Sequence, residues 1–208
     1  MRLIKMLGLG AVAAIAAMAF LGAGTASAHW CKLNQSPCGA ANEYPVGTKI
    51  AVKSSDAKLS GTISTDCESL AELELTSIGA ELKGTVTSLS FTNCTNGCVA
   101  TVNKKGTFDD KATGGGNGTV LMLGVEVTLS SCLGFAKCVA KGEDVTLALF
   151  GGAVGTAKGT ALNQPISISG FGCGSTGTWN AGGGNGGQPY VLESINGVKS
   201  GSIFIEGS

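Results

Sequence analysis

Eight cysteines, Cys31, Cys38, Cys67, Cys94, Cys98, Cys132, Cys138 and Cys173, constrain this chain more than any other feature. All follow an N-terminal segment with the grammar of a secretory signal. Arg2 and Lys5 form a basic start, an apolar run extends from Met6 to Leu21, and Ala26-Ser27-Ala28 offers a small-residue cleavage site. An even cysteine set in an exported chain implies disulfides, because the space outside the cell does not keep thiols reduced. The expected organisation is a signal helix over residues 1–28 and one disulfide-bonded domain over residues 29–208. Export and signal removal also imply a secreted or cell-surface location with no retained membrane span.

Eight cysteines permit 105 pairings, so spacing can only suggest which ones form. The short separations favour three local clips, Cys31–Cys38, Cys94–Cys98 and Cys132–Cys138. Cys67 and Cys173 would then close one long loop. In the chain-entropy view such a loop is worth on the order of 5 kcal/mol, against roughly 2–3 kcal/mol for each short clip.

Beyond the signal, apolar and polar residues alternate. Lys49–Lys53, Glu72–Thr76, Thr85–Phe91, Thr119–Leu129, Asp144–Phe150, Pro165–Ser169 and Ser202–Glu206 all show a period of two with Val, Ile and Thr. That is the signature of half-buried strands. Gly-Thr pairs recur, as at Gly84-Thr85, Gly118-Thr119 and Gly177-Thr178, and read as turns leading into strands. Two runs contain Gly-Gly-Gly-Asn-Gly, at 114–118 and 182–186, and Asn-Gly is a favoured hairpin turn. Only Cys67–Ile78 competes for helix, with one turn conceivable at Glu68–Glu72. Ten to twelve short strands with turns at this density suggest a sandwich or barrel. An antiparallel β-sandwich, Ig-like or jelly-roll-like with Gly-rich turns, is the expected fold.

Charge excludes more than it suggests. Only 13% of the residues are charged, and the acidic and basic totals cancel. Without Arg2 and Lys5 the remainder carries twelve basic against fourteen acidic residues, a net of −2. With no basic stripe, a nucleic-acid partner is not expected. A Ser-His-Asp triad would need a positioned His, and the sole histidine is His29, the first residue after the expected cleavage. A copper site built on an N-terminal His would need a second one. Paired cysteines offer no thiolate. Asp109-Asp110, beside lysines, reads as a solvated hairpin end. No enzyme, cofactor or metal site is therefore expected. For ligand binding the best candidates are Trp179 and Tyr190, which flank the second Gly-rich run and could form an exposed aromatic platform for a glycan or small ligand. The favoured reading of Trp179 is nonetheless a buried ring beside Cys173, packed on a disulfide as in sandwich cores.

The cysteine framework as a whole carries a resemblance. It runs Cys31-x6-Cys38, Tyr44-Pro45 with Gly47-Thr48, Cys67-Glu68-Ser69, Phe91-x-x-Cys94 with Cys98, Cys132 with Cys138, and Cys173-Gly174-Ser175-Thr176-Gly177-Thr178-Trp179. This series resembles a group of exported cysteine-rich proteins of soil-dwelling high-GC Gram-positive bacteria. The group usually has a shorter link between that Trp and the following Tyr, which Gly182–Gly187 lengthens here. The resemblance implies export and a β-rich, disulfide-bonded fold; it implies no activity and transfers no functional residue. The expectation for function is a non-catalytic structural or interaction protein of the cell surface or medium. Its partner would be an envelope component, a glycan or a second copy of itself. A ligand-binding module using Trp179 and Tyr190 is the alternative.

Overall fold

A computed structural model describes residues 28–79, 82–182 and 186–207. The expected signal segment, apart from Ala28, lies outside them, as do the central residues of the second Gly-rich run. The fold is all-β and antiparallel. Its strands are β1 (Ala28–Cys31), β2 (Lys49–Ser60), β3 (Thr65–Ser77), β4 (Leu82–Thr92), β5 (Val99–Lys104), β6 (Thr107–Gly114) and β7 (Asn117–Cys132). They continue with β8 (Ala136–Phe150), β9 (Gly152–Ala153), β10 (Lys158–Phe171), β11 (Thr176–Ala181), β12 (Tyr190–Ile195) and β13 (Ser202–Gly207). A single turn of 3-10 helix, Thr95–Gly97, joins β4 to β5. Among the described residues no helix is long and apolar enough to cross a membrane.

The main sheet closes on itself. Pairing runs β2–β3–β4–β6–β7–β8–β10 and returns to β2 through β11 and β12, each of which pairs with both β10 and β2. The two faces of the expected sandwich are thus joined at both edges, giving a barrel. Closure leaves few unpaired strand edges. The exception is β5, which pairs with β7 alone, so no ladder joins it to Val86–Thr92 of β4. A second sheet, β1–β13–β9, lies across one end of the barrel.

Alternation selects what faces inward. On β3 the buried residues are Thr65, Cys67, Ser69, Ala71, Leu73 and Leu75. This period of two runs through the whole segment that had competed for helix. The β7–β8 hairpin is more involved. Its inward pairs are Val120 with Leu147 and Met122 with Val145 at one end, then Val125 with Gly142 and Val127 with Ala140 beyond a bend. The inward face switches from even to odd residues at Gly124, whose φ of +71° suits glycine.

Three of the expected cysteine pairings are corrected. Cys31–Cys38 forms, but the others are Cys67–Cys94, Cys98–Cys132 and Cys138–Cys173. Cys67–Cys173, Cys94–Cys98 and Cys132–Cys138 do not occur. Strand register is the reason. In the β7–β8 hairpin Cys132 lies opposite Ala136 and Cys138 opposite Leu129, so the two sulfurs point to different neighbours. Each of the three observed bridges joins adjacent strands or their ends, β3 to β4, β5 to β7, and β8 to the end of β10.

Glycine roles shift in the same way. The β6–β7 hairpin turns at Gly115 and Gly116, both at positive φ, with Gly114 facing Asn117. The expected Asn-Gly turn is therefore already strand. Gly118 is needed for another reason, since a Cβ there would lie 2.8 Å from Ile205.

Candidate functional site

The barrel interior is a cavity of about 180 Å³. Its wall is almost wholly apolar, built by inward residues such as Val52, Leu73, Val127 and Leu147. Trp30, Ile203 and Ile205 from the crossing sheet form its floor, and Thr65, Cys67 and Leu129 lie towards the stapled end. A volume of this order with an apolar lining is the size class that accepts benzene-sized molecules inside proteins.

The floor is assembled stepwise from sequence. Gly84 of β4 lies opposite Phe108 of β6, and a Cβ at position 84 would come within 2.1 Å of the Phe108 ring. Glycine there lets the buried Phe108 ring lie over the strand. Phe108 then stacks on Trp30 at 5.6 Å between centroids, nearly parallel. That places the Trp30 Nε1–H so that it donates to Oδ2 of Asp110 at 2.6 Å.

Asp110 corrects the sequence reading. It is not a solvated hairpin end but a buried carboxyl, 4% exposed, on the cavity wall. Its other oxygen, Oδ1, has no hydrogen-bond partner. Burial is the main influence on its titration; the Asp109 charge adds to it and the Trp30 bond opposes it. The result is a pKa raised to about 7. Phe108 held the missed signal: with that ring inward, period two puts Asp110 on the same face and Asp109 outward.

Trp179 and Tyr190 are brought together, but within the wall. Their rings meet edge to face at 5.9 Å and both border the cavity. Tyr190 is 5% exposed and its hydroxyl donates to Ser69 Oγ at 2.8 Å; burial pushes its phenol pKa upward. Trp179 is half-buried on β11 and pairs with Leu59 and Gln164. Neither ring forms an open platform: Tyr190 is buried and Trp179 half-buried. The imidazole of His29 on β1 is engaged by Glu43.

The stapled end carries a different feature. Phe135, in the β7–β8 turn, and Phe171, at the end of β10, are 62% and 75% exposed and meet edge to face at 6.3 Å. Leu133, in the same turn as Phe135, and Val99, at the start of β5, are also exposed. No protein-family model matches the sequence, and neither the curated proteins nor the solved structures contain a match.

Proposed function

We propose that this chain is an exported binding protein whose barrel holds one small apolar molecule. The observation that carries this reading is the apolar cavity enclosed by the closed ring of strands, with Trp179 and Tyr190 in its wall. A glycan would need exposed ring faces and a polar surround; a small hydrocarbon-rich ligand needs the concave apolar lining found here. Binding of this kind requires no catalytic group or cofactor, and four disulfides suit an oxidising, extracellular setting.

Native mass spectrometry of protein recovered from its own producer tests the reading. The expected spectrum contains a bound small molecule that disappears in Val127→Phe, a substitution that fills the cavity. If no apolar compound co-purifies and none can be loaded to its solubility limit, the reading falls.

A second reading is favoured by one observation, the exposed Phe135–Phe171 pair with Leu133. Apolar side chains gathered at one tip suit contact with an envelope component or a second copy. Light scattering of Phe135→Ser/Phe171→Ser beside the parent protein decides whether the tip drives self-association.

A further inference from the structure

We propose that Asp110 makes the barrel selective for ligands that carry a hydroxyl group on an otherwise apolar body. The inference rests on the binding-barrel reading and names the chemical class of its ligand. Buried carboxyl oxygens are nearly always hydrogen-bonded. Here Trp30 satisfies Oδ2, while Oδ1 has no partner and its residue lines the cavity. Three other polar lining side chains are engaged elsewhere. Thr65 Oγ1 donates to the Thr95 carbonyl, Tyr190 to Ser69, and Lys158 Nζ lies over the Phe150 ring. Among the described side chains with an orphaned buried oxygen, only Asp110 borders this cavity.

Oδ1 sets the chemistry of its partner. Ionised, it accepts a hydrogen bond; protonated, it donates one. With a pKa of about 7 both forms are populated near neutral pH. An ammonium group complements only the ionised form and a ketone only the protonated one. A hydroxyl complements both, because it donates and accepts. Without such an anchor a hydroxyl would weaken binding in an apolar cavity relative to a methyl group of similar size. The sign of the preference is therefore diagnostic.

The test uses p-cresol and p-xylene, which differ by hydroxyl against methyl, titrated calorimetrically into the oxidised full chain at neutral pH. Trp30 and Trp179 emission reports occupancy in parallel, since both border the cavity. The wild type is expected to bind p-cresol at least about tenfold more tightly than p-xylene, as sites built to pair a substrate hydroxyl do. Asp110→Leu should reverse that order. Asp110→Asn, which keeps an acceptor for Trp30 and a polar group for the ligand, should retain it and serves where the leucine variant does not fold. If p-xylene binds as well as or better than p-cresol, the assignment to Asp110 is overturned while the apolar barrel stands. If neither probe binds, the barrel reading fails and the assignment with it.

Discussion

Where β1 and β13 cross the barrel, the interior is closed by side chains: Trp30 on Phe108, with Ile203 and Ile205 beside them. The opposite end, where β3 and β8 begin and β4 and β7 stop, has Cys67–Cys94, Cys98–Cys132 and Cys138–Cys173. Large aromatics at that end, Phe135 and Phe171, point outward instead. The comparison shows two ways of ending a β-barrel. A large ring buried under a crossing sheet gains transfer energy and dispersion. The stapled end restricts the unfolded chain instead, by covalent links across strand pairs.

The sharpest way to break this contrast is to remove packing at the floor. Trp30→Ala is expected to cost about 4–5 kcal/mol in urea unfolding, because it combines a large cavity with the loss of the donor to buried Asp110. A loss under 2 kcal/mol would show that the floor is not held by packing.

The next effect is pH-dependent and confined to the floor. Asp110 titrates near 7 when folded and near its ordinary value of 3.8 when unfolded. Between those values the unfolded chain has released the proton that the folded chain keeps. Stability from this group is therefore greatest below about pH 4, declines as pH rises towards 7, and is level above. The three-unit shift corresponds to roughly 4 kcal/mol. Asp110→Asn should lose this decline and gain on the parent protein at pH 8 relative to pH 4. Parallel pH profiles for the two proteins would place the titration elsewhere.

At the stapled end, each long bridge closes a loop of 27 to 35 residues and is expected to contribute about 3.5–4 kcal/mol, against about 2.5 kcal/mol for Cys31–Cys38. Replacing both cysteines of Cys138–Cys173 with serine should therefore lower the urea midpoint further than the same change at Cys31–Cys38. The reverse order would mean that the stapled end is held by something other than its bridges. The smallest effect belongs to the exposed aromatics: Phe171→Ser should change stability by no more than about 0.5 kcal/mol.

The two ends also differ in how far their structure could be read from the residues. Period two marks β3 plainly and names its inward residues from Cys67 to Leu75. Near Gly124 the same rule fails, because a bend switches the inward face within one continuous apolar run. Cys31–Cys38 was legible from its short spacing, whereas the three bridges between strands were not, because their pairing depends on register, which no cysteine spacing records. At the floor, Phe108 and Asp110 share a face by simple alternation. What hid the carboxyl was its charge and its lysine neighbours, which suggested solvent, whereas the Trp30 donor that accompanies it lies 80 residues away. The proximity of Trp179 and Tyr190 followed from their flanking one Gly-rich run, but their place in the cavity wall depends on β11 and β12 both bridging β10 and β2, which residue types alone do not record.

The floor has a consequence for the order of events during folding. Its strands β1 and β13 are paired with one another although they lie at opposite ends of the described sequence. Contacts so distant in sequence pay the greatest loop-closure cost and are favoured only late. A chain with its barrel wall formed but β13 undocked would lack Ile203 and Ile205, and would leave Trp30 without its partner strand. Such an intermediate has a wall but no bottom. Ligand retention would therefore report completion of the last step of folding, and occupancy could be used to time it.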